Sequence, residues 1–243
     1  MTTTSIIKAE QTARTTERIL IKLYENILKT ITLDPDFPQY PDTLRLKYQT
    51  LVYDVTRKAI ETAHKAAIDY VGAALKVETF LTETDIRMIK AETELAVNKF
   101  FESLRKGAEA QQQADFKAFL DNLNKTQLYG AAVWDPITSL LSSFTRIATS
   151  VIAAAFGGAT KQKTAQLTQH PLVQAGYLTE TGQPTGEKPR IKWVAQHDEK
   201  TCPYCLSQDG EEYDADDPSA PVPGVLDGEG GHPFCRCFYE LVQ

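Results

Sequence analysis

Cysteine is missing from the first 201 residues of this 243-residue chain. No secretory signal is expected either: Met1-Thr2-Thr3-Thr4-Ser5 has neither a basic n-region nor an apolar h-region. Four cysteines without such a signal are expected to be metal ligands or reduced thiols, not a disulfide framework. There is no basic excess. Lys plus Arg total 26 against 32 Asp plus Glu, a net charge of −6, which argues against non-specific nucleic-acid binding as the main task. Nor is there a clean apolar run of the roughly twenty residues that a membrane span needs. Residues 137–157 come nearest, but Arg146 interrupts them and Gly157-Gly158 closes them. They read as a buried or oligomer-packed helix, and no membrane partner is expected. What remains is 42% hydrophobic, enough to bury a real core in one large domain or two smaller ones.

The first two-thirds has helical periodicity. Ile19, Leu23, Ile27 and Ile31 recur at helical spacing, and Leu20, Tyr24 and Leu28 widen the stripe. Pro35, Pro38 and Pro41 break this helix. A second helix carries Leu44, Tyr48, Leu51, Val55, Ala59, Ala63 and Ala66 on one face. A third, capped by Thr82 or Thr84, carries Ile86, Ile89, Val97, Phe100 and Leu104, and Gly107 marks its expected end. A shorter helix with Phe116, Phe119, Leu120 and Leu123 follows. The bundle is expected to fold without the tail, and the segment Ile137–Phe156 to offer contact area to a partner.

Residues 158–189 turn polar, with Gly182, Pro184, Gly186 and Pro189, and read as a linker. Beyond it, Arg190–Ala195 alternates like a strand, and Glu212-Tyr213 and Phe238–Val242 can supply two more. The predicted fold is therefore mainly α. An elongated helical N-terminal domain (1–157) precedes the linker (158–189) and a small zinc-stabilised α+β C-terminal module (190–243). So small a module gains from a metal staple.

All the soft ligands fall in that module: Cys202-Pro203-Tyr204-Cys205, then His232-Pro233-Phe234-Cys235-Arg236-Cys237. Two close-set pairs each supply one edge of a tetrahedral zinc site. Five candidates compete for four positions: Cys202, Cys205, His232, Cys235 and Cys237. Either His232-x-x-Cys235 or an all-cysteine set through Cys-x-Cys is open. The separation, residues 206–231, is longer than in compact zinc fingers.

Other chemistries fit less well. Cys-Pro-Tyr-Cys matches a glutaredoxin motif, but only a short, largely acidic stretch follows it, not a thioredoxin-like fold. His197-Asp198-Glu199 supplies the His-x-Glu of a zinc deaminase, yet it abuts the cysteine pair. The acidic loop Asp209–Glu229 lacks the spacing of an EF-hand and reads as solvated or docked on a basic partner. No nucleophile, base and orienting carboxylate form a set, so no catalytic residue is assigned. A zinc hydrolase or nuclease working at His197 and Asp198 is one rival. A DNA-binding surface around Lys99, Arg105 and Lys106, or Lys161 and Lys163, is the other.

The tail resembles the MuF-like head morphogenesis proteins of tailed phages, also called minor head proteins. Trp193, Asp198, Cys202, Cys205, Gly210, His232, Cys235, Arg236 and Cys237 carry the resemblance, over roughly residues 190–238. A long helical part before a small terminal module is also that family's layout. The resemblance implies a virion component at the portal vertex, in few copies, present in the host cytoplasm during assembly. It implies docking on the portal or major capsid protein, oligomeric within the virion, with packaged DNA as a further candidate partner. It implies no catalytic activity. The long Pro/Gly/Asp loop between the ligand pairs departs from the family pattern and leaves the fourth ligand open. Within this reading, Trp193 packs in the core and Arg236 bonds backbone carbonyls or Asp198.

Overall fold

Four long helices and a three-stranded sheet make up the computed structural model, which describes residues 3–124, 136–170, 173–174, 187–199, 201–224 and 235–242. The helices are α1 (Thr3–Thr32), α2 (Pro41–Leu75), α3 (Glu83–Asn124) and α4 (Pro136–Thr168). The tail holds β1 (Arg190–Val194), a short α5 (Pro203–Gln208), β2 (Glu212–Asp214) and β3 (Phe238–Val242). The chain is mainly helical, as its periodicity predicts.

The buried stripe of α1 is Ala13, Leu20, Tyr24, Ile27, Leu28 and Ile31, while Ile19 is 53% exposed and Leu23 half-buried. The face is thus rotated from the expected one. Tyr24 decides the rotation. Its ring stands edge-on to Phe100 at 5.0 Å, Phe100 stacks on Phe144 at 4.2 Å, and its hydroxyl meets Thr56 Oγ1 at 2.7 Å. One side chain thereby joins all four helices. Similarly, α2 buries Leu44, Ala59, Ala63 and Ala66 as expected but leaves Leu51 exposed, because α2 also packs through Val52, Ile60, Ala67 and Val71. Both α2 and α4 pack against every other long helix.

Thr82 caps α3 as the sequence suggests. Asp85 N–H donates to Thr82 Oγ1 at 3.3 Å, and Thr82 N–H donates back to Asp85 Oδ2 at 2.6 Å. Gly107 does not end α3, which runs unbroken to Asn124. A Cβ there would lie 2.4 Å from Leu140 Cδ2, so this glycine admits α4 at close range. The side chains of Phe116, Phe119, Leu120 and Leu123 lie outside the described residues.

The apolar run becomes α4, a helix long and apolar enough to cross a membrane by length and composition alone. Here Leu140, Phe144, Ile147, Ala148, Ile152, Ala155 and Phe156 are buried in the bundle core. The expectation that Ile137–Phe156 forms a contact surface is therefore corrected: the bundle itself covers this face. Ile137's side chain lies outside the described residues.

Nor does the linker begin at residue 158, since α4 continues to Thr168. Thr160, Lys163 and Thr164 in its polar final turns are buried: the Thr160 and Thr164 hydroxyls donate to carbonyls one turn earlier, and Lys163 pairs with Asp85 at 2.8 Å. A polar sequence looks like linker, but here the polar groups are satisfied internally. Gly182, Pro184 and Gly186 lie outside the described residues.

The sheet has the order β2-β1-β3, antiparallel throughout, with Arg190 opposite Asp214 and Val242, and Val194 opposite Phe238. It is fastened to the bundle. Leu241 N–H donates to the Tyr70 hydroxyl at 2.9 Å, and Leu241 is buried in the bundle core. The segment Ala215–Gly224 then lies along α4: Lys161 Nζ donates to Ala220 O at 2.7 Å and Pro223 faces Gly157. Gly224 comes closest of all. At φ +80°, an added Cβ would meet Ser150 O at 2.5 Å and Ala154 N at 2.6 Å, both backbone atoms.

Gly224→Ala is accordingly expected to lower stability by about 2–4 kcal/mol, since left-handed strain adds to a clash that backbone cannot relieve. Gly210→Ala is the control. Its φ is +83° but nothing lies within 4 Å of the added Cβ, so only about 1 kcal/mol of strain applies. Urea melts of the two variants measure the difference, and equal losses would refute close seating of the segment on α4.

Candidate metal centre

The register of the sheet assembles the cysteines. β1 ends at Val194 beside Phe238, the first residue of β3. Because the strands are antiparallel, the chain leaving β1 toward Cys202 and the chain entering β3 from Cys235 and Cys237 meet at the same end. Cys202 is the N-cap of α5, in extended conformation, with Pro203 at the first helical position, where a missing N–H is harmless. Its sulfur accepts the Cys205 N–H at 3.4 Å. The chain then doubles back. Gly210 N–H donates to Trp193 O at 2.9 Å, and Trp193 N–H donates to Glu211 O at 2.8 Å.

The result is a buried triad of sulfurs. Cys205, Cys235 and Cys237 lie within 4.8 Å of one another, with the Cys205 and Cys235 sulfurs 3.8 Å apart, and the three could hold a metal ion. No disulfide joins any of the four cysteines. Cys202 is half-buried and packs against the same cluster, which also contains Trp193, Tyr239 and Ile191. His232 lies outside the described residues.

Electrostatics around the sulfurs favour an anion. Donation from the Cys205 and Cys237 side chains, followed by the backbone N–H groups of Cys237 and Gly224, holds Cys235 well below the usual thiol range against the opposing effect of burial. Cys205 moves the other way, pushed up first by Cys235 and then by Cys237 and burial. A soft cation would displace the remaining thiol protons and be held by the sulfurs as thiolates.

Trp193 is fully buried and stands edge-on to Tyr239 at 5.8 Å and to Tyr204 at 6.3 Å, in the core role expected of it. Arg236 reaches Asp198 Oδ1 at 2.5 Å, tying the Cys-Arg-Cys run to the turn before Cys202. His197 and Asp198 take different partners. His197, 68% exposed, bonds Asp209 Oδ2 at 2.8 Å, while Asp198 holds Arg236. Asp209 also accepts the Ala195 N–H at 2.8 Å, and that bond, then His197, holds its carboxyl below the usual range. Sequence reasoning missed Asp209 as a brace of this turn, although the Asp-Gly after the cysteine pair signals it.

Three acidic groups of this loop find cations within the chain: Lys188 pairs with Asp214 and Asp216, and Arg190 with Glu212. The basic residues of the DNA-binding alternative are also engaged. Arg105 and Lys106 pair with Glu109 and Glu102, Lys163 is buried on Asp85, and Lys161 holds the Ala220 carbonyl.

Compared with family models, curated proteins and solved structures, the chain has no significant match in any of the three.

Proposed function

We propose that this chain is a structural minor head protein of a tailed phage, of the MuF-like kind, which docks at the portal vertex and assists head morphogenesis or DNA delivery. The observation that carries the reading is the role of the pattern residues. Trp193 fills the module's core, Gly210 makes the left-handed turn back to Trp193, Arg236 and Asp198 brace each other, and three of the cysteines converge. Each of these groups serves the architecture, and His197 and Asp198, the one pair offered for chemistry, are committed to separate partners. That suits a protein that acts by docking, without turnover.

The metal in this reading is zinc. With zinc–sulfur bonds of about 2.3 Å, a tetrahedron has edges of about 3.8 Å. The Cys205–Cys235 separation is 3.8 Å. Zinc there would play a structural part, linking the turn before α5 to the start of β3. The fourth ligand comes from Cys202 or His232.

Purified particles provide the test. Tagged protein should appear in mature or precursor heads, in few copies and at one vertex when labelled and imaged. Particles lacking the chain, or carrying it uniformly over the shell, would overturn the assignment.

A further inference from the structure

Resting on the zinc reading above, we infer that the shell is all-cysteine: Cys202, Cys205, Cys235 and Cys237 fill the four positions, and His232 is not a ligand. Three positions follow from the triad, because Cys237 is not the spare that a His-x-x-Cys shell requires. Its sulfur is buried within the same 4.8 Å cluster as Cys205 and Cys235. The choice therefore narrows to Cys202 or His232.

Cys202 is already placed. It caps α5 three residues before Cys205, with backbone angles of φ −76° and ψ 160°, and its sulfur accepts the Cys205 N–H at 3.4 Å. That bond holds both sulfurs of the pair on one turn. The Cys202 sulfur lies outside the 4.8 Å triad, so closing the shell with it takes a side-chain adjustment, made on a turn the helix cap has ordered and with little added loss of chain entropy.

Four thiolates around a dication leave two negative charges in a buried site, which must be dispersed. One backbone N–H is already aimed at a sulfur: that of Cys205 reaches Cys202 at 3.4 Å. Such outer bonds orient ligands and spread their charge.

X-ray absorption of the zinc-loaded, full-length protein reads the shell without any substitution. Four sulfurs at about 2.3 Å are expected, and three sulfurs with one nitrogen at about 2.0–2.1 Å would overturn the assignment. Cobalt-loaded variants supply a second measurement. His232→Ala should leave the visible d–d bands unchanged, whereas Cys202→Ser should shift them to shorter wavelength and remove about a quarter of the sulfur-to-cobalt charge-transfer intensity, one thiolate in four. The reverse pattern would assign the position to His232. A wild-type protein that takes up neither metal overturns the zinc reading itself, whatever its location in particles.

Discussion

Cys235→Ser should abolish zinc binding and melt the sheet. Zinc is expected to copurify at about one ion per chain, and structural zinc contributes roughly 10–16 kcal/mol of apparent binding energy at neutral pH. Whole domains are stable by only about 5–15 kcal/mol, so so small a module should not survive that loss. The consequence will not stop at residue 190. β3 places Leu241 in the bundle core and the segment before Gly224 lies on α4, so the helices lose packing as the sheet opens. The variant should keep most of its helical circular dichroism yet melt at lower temperature. Hydrogen exchange should show β1 and β3 open before the helices. Protein purified without chelators that contains no zinc, or a serine variant that melts like the parent, would contradict this.

The second large effect is expected at the far end of α4. Lys163 is 4% exposed and Asp85 fully buried, joined at 2.8 Å. Lys163 also donates to Phe80 O and Gln166 Oε1, and Asp85 accepts from Thr82, so both charges are fully bonded. Lys163→Met would leave a buried carboxylate without its cation, a change that costs about 3–5 kcal/mol. Burial works to raise the Asp85 pKa, but the bonds from Lys163 and Thr82 outweigh it and hold the carboxyl below its ordinary value.

The pH dependence follows in sign. A depressed pKa gives the parent stability that is present above the unfolded carboxyl value, about 3.9, and is lost as pH falls through the folded one. In Lys163→Met, burial dominates and the same carboxyl is pushed up, so that variant regains stability as acid protonates it. The gap in melting temperature between variant and parent should therefore narrow from pH 7 to about pH 4.5. Thermal melts at both pH values measure it, and a gap that stays constant or widens would show that Asp85 is not the group left unpaired.

This ion pair is also where sequence reading was weakest. Lys161, Gln162 and Lys163 look like an exposed basic run, and Gly157-Gly158 looks like a helix stop. Nothing local indicates that Asp85, 78 residues earlier, supplies the partner for Lys163 or that Pro223 needs the space at Gly157. Gly107 misled for the same reason. A glycine that ends a helix and a glycine that admits a neighbouring helix are the same letter, and only the neighbour distinguishes them.

Much was nonetheless settled locally. Helical character, the proline break, the Thr82 cap and all three strands follow from periodicity, missing donors and short-range hydrogen bonding, which act within a few residues. The candidate ligands were legible because sulfur chemistry and close spacing belong to the chain itself. Which face of α1 is buried, where α4 stops, and which three sulfurs meet were decided by tertiary structure. Tyr24 must fit Phe100 and Thr56, Lys163 must reach Asp85, and the β1–β3 register brings Cys205 to Cys235. Those outcomes depend on partners tens of residues away, whose positions no local pattern encodes.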